Sequence, residues 1–190
     1  MEGTSQVVQH FNIVEMEFKA YTPSPIYHTE DWLINEKFAP KFVRSLNANE
    51  VVRFLDKISI RNLTMALNQK DRSLFVIKSP TIQRVWHEES FGKFKVRFSF
   101  LDGANNPFNA IPATDLLVLA WVKLQIKNGR DYESQLIKRF NNNPYRYLRI
   151  GLTREFQGRH WEQVTALFTI PDLFDGASFA TLERKLGEKV

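Results

Sequence analysis

The stretch Lys93-Phe94-Lys95-Val96-Arg97-Phe98-Ser99-Phe100-Leu101 carries the cleanest pattern in the chain. Phe94, Val96, Phe98 and Phe100 alternate strictly with Lys93, Lys95, Arg97 and Ser99. A period of two belongs to a strand with one face in a core and the other toward solvent. Working upstream, Ser73–Lys78 and Thr81–His87 are strand-like and separated by a Ser79-Pro80 turn, while Asp102-Gly103 and Asn105-Asn106-Pro107 supply turn chemistry downstream. Further out, Tyr145–Phe156 and His160–Ile170 form a hairpin around Gln157-Gly158. Phe11–Phe18 is a half-exposed strand carrying Glu15 and Glu17, broken afterwards by Pro23 and Pro25.

Helices are expected between these strands. Thr29 is placed to cap a short helix with Glu30 and Asp31 in its first turn. Ala48–Lys57 is capped by Asn47 with Glu50 three residues on, and Val51, Phe54, Leu55 and Ile58 recur at helical spacing. Thr114-Asp115 opens a Leu-rich helix ending near Asn128-Gly129, although the alternation of Val122, Leu124 and Ile126 leaves a strand open there. Asp131–Phe140 follows, stopped by Asn141-Asn142-Asn143-Pro144, and Ser178–Leu186 closes the chain. Strands in clusters, helices between them and no βαβ rhythm give a strand-rich α+β class.

With 190 residues, 43% hydrophobic and 25% charged, the chain can bury a core. Sixteen Phe, five Tyr and four Trp help, because large rings bury much area each. Trp32, Trp86, Trp121 and Trp161 are read as core anchors. The absence of Cys excludes disulfides, thiol catalysis and thiolate metal sites. The first residues carry no secretory signal pattern, and the longest apolar run, Leu116 to Val122, is far below the ~20 residues of a membrane span. The expected location is cytoplasmic, without a membrane partner.

No motif for catalysis is complete. His10, His28, His87 and His160 are scattered singly and make no HExxH or other ligand spacing, so no metal is expected. GxSxG and phosphate-cradling loops are missing, and no cofactor is expected. A carboxylate site around Glu30, Asp31 and Asp115 would need those groups to converge, whereas carboxylates near caps usually serve the backbone.

Charge points elsewhere. The formal net charge is +5 and the pI is near 9.5. Between Lys123 and His160, nine Lys and Arg face three Asp and Glu, so this stretch carries +6 and accounts for the whole excess. Such a field attracts nucleic acid or another polyanion. In Tyr145-Arg146-Tyr147-Leu148-Arg149, alternation puts Tyr145, Tyr147 and Arg149 on one face, and Arg154 falls on the face of Arg146 unless a bulge intervenes. Rings and a guanidinium on one face suit base stacking with phosphate contact. Lys93, Lys95 and Arg97 form a basic strand face able to track phosphates, or a solvated face with no ligand.

His28-Thr29-Glu30-Asp31-Trp32, Ile111-Pro112-Ala113-Thr114-Asp115-Leu116, Leu148-Arg149-Ile150-Gly151-Leu152-Thr153 and His160-Trp161-Glu162-Gln163-Val164 occur in that order. Over most of residues 11 to 172 the chain resembles the bacterial dual-OB domain proteins. The resemblance implies two small OB-like β-barrels, a role in nucleic-acid recognition and a place near prokaryotic defence genes. That family begins with a further strand hairpin before the segment matching Phe11–Phe18, so an N-terminally shortened, incomplete first barrel is expected here. The implied division is an N-terminal part over 1–70 and a C-terminal part with the basic hairpin over 71–190.

The leading expectation is a non-enzymatic protein that binds single-stranded nucleic acid. Arg146, Arg149, Arg154 and Arg159 would contact phosphates, Tyr145 and Tyr147 would stack on bases, and Lys93, Lys95 and Arg97 would supply a further basic face. The alternatives are an adaptor that binds a protein partner, and an enzyme using Glu30, Asp31 and Asp115.

Overall fold

The computed structural model describes residues 8–21, 27–90 and 92–187. In chain order these form β1 (Asn12–Glu15), β2 (Phe18–Tyr21), β3 (Trp32–Ile34), β4 (Lys41–Ser45), α1 (Ala48–Ile58), β5 (Ser59–Ile60) and α2 (Leu63–Gln69). Then come β6 (Leu74–Lys78), β7 (Thr81–Ser90), β8 (Lys93–Leu101), β9 (Pro107–Pro112), α3 (Leu116–Lys127), α4 (Tyr132–Asn141), β10 (Tyr145–Leu152), β11 (Glu162–Ile170) and α5 (Phe179–Leu186).

The β8 alternation is realised in full. Val96, Phe98 and Phe100 have no exposed surface and Phe94 packs against the same core. β7, β8 and β9 form an antiparallel meander with β8 central. A second sheet runs β11-β10-β6-β5, antiparallel except for the β5–β6 pair. A single parallel bridge, Ala113 to Val164, joins the two, supported by Thr114 N–H donating to the Val164 carbonyl at 2.9 Å. One core lies between them, filled by Phe75, Ile77, Phe98, Phe100, Leu148 and Ile150 and covered by α3, α4 and α5. Among the described residues the curved sheets form no closed barrel.

β5 and α2 precede residue 71, yet β5 pairs with β6, and Leu63 and Ala66 of α2 lie in the main core. Sheet and core are thus continuous across position 70. The Asp102-Gly103 turn locks against the same elements: buried Asp102 accepts from Leu63 N–H at 2.8 Å and from Ala104 and Asn106 N–H at 2.9 Å each. Gly103 sits so close to the chain that an added Cβ would collide with the Lys78 carbonyl oxygen.

The helices follow their local signals. Asn47 and Glu50 complete a reciprocal capping box on α1. Asp115, Asp131 and Ser178 cap α3, α4 and α5 through their side chains. Residues 122–126 are helical, since the Asp115 cap and the burial of Val118, Ala120, Trp121 and Val122 favour a helix over the alternating pattern.

Three expectations are corrected. Thr29 caps no helix: Tyr27 and His28 have φ of 52° and 41°, which turns the backbone left-handed, and the chain runs directly into β3. Phe11–Phe18 is not one strand, because β1 pairs with β4 while β2 pairs with β3. Pro23 and Pro25 lie outside the described residues. Of the four tryptophans only Trp121 is buried, while Trp86 is half-buried and Trp32 and Trp161 are exposed.

Candidate nucleic-acid interface

β10 lies between β6 and β11, so both of its edges are covered. The packing around it settles its side chains. Tyr147 is 1% exposed, packed among Val51, Leu55, Val76, Ala166 and Phe168, so its ring offers no surface for stacking. Its hydroxyl donates to Asp56 Oδ1 at 2.6 Å, and the same oxygen pairs with Lys78 Nζ at 2.8 Å. Burial, and then the bond to Asp56, push the Tyr147 hydroxyl well above the ordinary phenol value. It is a permanent donor.

The arginines of β10 are likewise engaged. Arg149 is half-buried, donating to Thr165 Oγ1 at 2.9 Å and to the Thr165 carbonyl at 3.1 Å. Arg146 donates to the carbonyls of Pro80 at 2.8 Å and Asn143 at 3.1 Å. A bulge between Arg149 and Ile150 separates the alternation of Arg146 from Arg154. Tyr145 alone keeps an exposed ring on this strand, lining a shallow recess with Asn49, Val52 and Arg53. On β8, Arg97 pairs with Glu88 at 2.8 Å and donates to the Ala110 carbonyl, Lys95 faces Glu88 across the ladder, and Lys93 is exposed at the strand start. The expected cations therefore do not converge on one track.

Besides Lys93, two of them remain outward. Arg154 and Arg159 lie in the loop between β10 and β11, with side chains 78% and 59% exposed. The tip of this loop is tight: Phe156 and Arg159 exchange backbone hydrogen bonds around Gln157 and Gly158, whose φ values are 54° and 72°. Both positive angles are those of a type I′ hairpin turn. Arg159 lies over the Trp161 ring at 4.2 Å, and Arg154 Nη2 pairs with Asp31 Oδ2 at 2.6 Å.

Asp31 belongs to the turn that docks the β2–β3 ribbon onto this loop. His28 Nε2 and His160 Nδ1 meet the Thr153 carbonyl at 3.2 and 2.8 Å, and the Tyr27 and His160 rings stand 4.5 Å apart. Glu30 accepts from the backbone N–H and the hydroxyl of Ser73, and the Thr29 hydroxyl donates to the Asp71 carbonyl. Burial alone would raise the Glu30 carboxyl, but the bonds from Ser73, a backbone bond at Glu30 itself and the His28 charge together outweigh it and hold the group below its usual range.

The ribbon so held carries a feature that sequence reading missed. Trp32 lies opposite Tyr21 in the ladder, with ring centroids 4.8 Å apart, and Phe18 lies 5.7 Å from Trp32. Phe18, Tyr21 and Trp32 are 49%, 51% and 54% exposed. Three neighbouring rings thus face solvent, with Lys19 exposed between Phe18 and Ala20 and Arg154 tied to the residue next to Trp32. In sequence the alternation from Val14 to Ala20 suggests one half-buried face, yet every residue of Phe18–Tyr21 is exposed.

Residues 2–167 match the family described as the dual OB-containing domain, DuOB. The chain belongs to the DuOB family. No curated protein and no solved structure matches it. The strand-rich α+β architecture is the OB-based fold of a DuOB chain. Among the described residues no helix is long and apolar enough to cross a membrane, and no three His, Asp or Glu side chains gather where they could hold a metal ion.

The three carboxylates singled out in the sequence have separate partners in this DuOB protein. Glu30 holds Ser73, Asp31 holds Arg154, and Asp115 caps α3 by accepting from Leu117 N–H at 2.9 Å. Burial raises the Asp115 carboxyl above its usual range, partly opposed by the bonds from Leu117 and Val118 N–H.

Proposed function

We propose that this DuOB protein is a non-enzymatic, cytoplasmic binder of single-stranded nucleic acid whose contact surface is the β2–β3 ribbon together with the loop over residues 153–161. The exposed ring series Phe18–Trp32–Tyr21 beside Arg154 carries the reading. Every base has a π-face, so contiguous exposed rings accept successive bases with little sequence preference, while neighbouring cations contact the phosphates. Arg154 and Arg159 keep the phosphate role expected of them, and the stacking role moves from Tyr147 to Trp32 and its neighbours. Membership in a dual OB family supports a binding role, and OB folds present a strand face and loops to oligonucleotides. A link to a prokaryotic defence system belongs to this reading through the family resemblance alone.

The test is titration of a labelled single-stranded oligonucleotide at several salt concentrations. Log K is expected to fall linearly with log salt, and Arg154→Ala with Arg159→Ala to reduce the slope by about 0.7 for each phosphate no longer neutralised. Binding that ignores both substitutions would remove these residues from the interface.

A protein partner is the second reading. It is favoured by the aliphatic and aromatic exposure of β1 and β4, where Ile13, Phe42 and Val43 face solvent. Recovery of one stoichiometric protein after nuclease treatment, with no oligonucleotide binding, would favour it over the first.

A further inference from the structure

The tip of the loop between β10 and β11 carries an exposed ring outside the Phe18–Trp32–Tyr21 series. Phe156 is 63% exposed, the highest value of any large hydrophobic side chain among the described residues. Single exposed rings are ordinary on protein surfaces, but this one has company. Its N–H donates to the Arg159 carbonyl at 2.9 Å and accepts the return bond at its own carbonyl at 3.2 Å, so the two residues face each other across the turn. Side chains of such a pair share a face. Arg159 in turn lies over the Trp161 ring at 4.2 Å, and Trp161 is 42% exposed. Phe156, Arg159 and Trp161 thus make one solvent-facing patch, a guanidinium between two rings.

The stem below the patch is fixed. Trp161 N–H donates to Thr153 Oγ1 and Thr153 N–H donates to the Trp161 carbonyl, both at 3.0 Å. Arg154 ties the same stem to Asp31, the residue before Trp32 of the ribbon. Charge alone does not define the patch, since Glu155 is exposed within it and Glu162 lies 3.8 Å from Arg159. The rings therefore set what it takes. An apolar side chain that enters the interior of a duplex bears the cost of unstacking a base step. The last base pair of a duplex offers its flat face without that cost, and its phosphates lie within reach of a neighbouring guanidinium. We propose that the Phe156 tip caps the terminal base pair of a duplex whose single-stranded extension runs onto the β2–β3 ribbon. The substrate class is then a junction of duplex and single strand. This inference rests on the ribbon reading and deepens it, because the Arg154–Asp31 pair sets tip and ribbon side by side.

Fluorescence anisotropy of the full chain with two labelled probes tests it: a free single strand, and the same strand extending from a short duplex hairpin. The parent is expected to bind the tailed hairpin at least about fivefold more tightly than the free strand, the gain of one added stacking contact. Phe156→Ala is expected to abolish that preference while leaving affinity for the free strand and the melting temperature unchanged. Phe156→Tyr keeps a ring at the tip and is expected to keep the preference. Trp32→Ala, in contrast, is expected to weaken both probes. Binding of the free strand with no preference for the tailed hairpin would overturn this inference and leave the ribbon reading standing. The same follows if Phe156→Ala retains the preference, or weakens both probes alike, which would make Phe156 one more single-strand contact. No binding of either probe by the parent would overturn both readings together.

Discussion

At the scale of single residues, the chemistry of a side chain in this protein is decided by what covers it. Tyr147 and Trp32 show the two outcomes. Alternation along Tyr145–Arg149 suggests base stacking for Tyr147, but β6 and β11 flank its strand and Val51 and Leu55 of α1 close over it. Tyr147→Phe removes one bond to a charged, partly exposed carboxylate and is expected to cost about 1–2 kcal/mol in denaturant unfolding. Tyr147→Ala empties a packed site and is expected to cost about 3–5 kcal/mol. Asp115 offers a pH test. Its folded carboxyl titrates above its unfolded value, so the native state binds the proton more readily, and the stability from this group is present in acid and lost as pH rises through the folded value. Asp115→Asn keeps a capping oxygen without the charge. The melting temperature of the variant minus that of the parent is therefore expected to be larger at pH 7 than in mild acid; a difference that grows on acidification would contradict the assignment.

At the scale of elements, signals carried by neighbours in sequence were legible and those carried by distant contacts were not. The β8 alternation, the Asn47–Glu50 box of α1, the Gln157-Gly158 turn and the helices opening at Asp115, Asp131 and Ser178 all read correctly, because each rests on residues within a few positions of one another. Thr29 misled because its hydroxyl and its neighbours answer to Asp71, Ser73 and Thr153, more than forty positions away, and a cap pattern cannot register such partners. The site was less legible than the fold. Arg154 and Arg159 were singled out by charge, whereas Phe18 and Tyr21 were not, because the alternation from Val14 to Ala20 reads as a half-buried strand while every residue of Phe18–Tyr21 is exposed. The turn that leads into β3 is tied to Ser73, just before β6, by the Glu30–Ser73 clamp. Because that carboxyl is held below its usual range, the clamp is intact above the ordinary Glu range and is lost only as pH falls through the depressed folded value. Glu30→Ala is expected to speed hydrogen exchange of the 32–34 amides and weaken oligonucleotide binding, leaving exchange in β8 unchanged. Equal protection in parent and variant would show that the clamp does not order the ribbon.

At the scale of the whole molecule, two regions differ in kind. The meander, the β11-β10-β6-β5 sheet and α3 to α5 share one well-filled core, whereas β1 to β4 form two-stranded ribbons that leave large apolar side chains in solvent. A chain stabilised by the first region can present the second as a surface for binding. The net positive charge, which in sequence looks like a single track, is distributed instead among carbonyl contacts, ion pairs and a few outward cations. Electrostatics alone would therefore give weak and salt-sensitive attraction, and on the proposed reading any preference for single strands comes from the rings. The most direct measurement is the affinity of a short labelled single-stranded oligonucleotide, at about 50 mM salt, for the parent and for Trp32→Ala. Stacking on an exposed ring is worth about 1–3 kcal/mol per base, so Trp32→Ala is expected to weaken binding by about 5- to 150-fold with its melting temperature unchanged. Equal affinity for the two proteins, or no binding by the parent, would contradict the ribbon as the nucleic-acid interface.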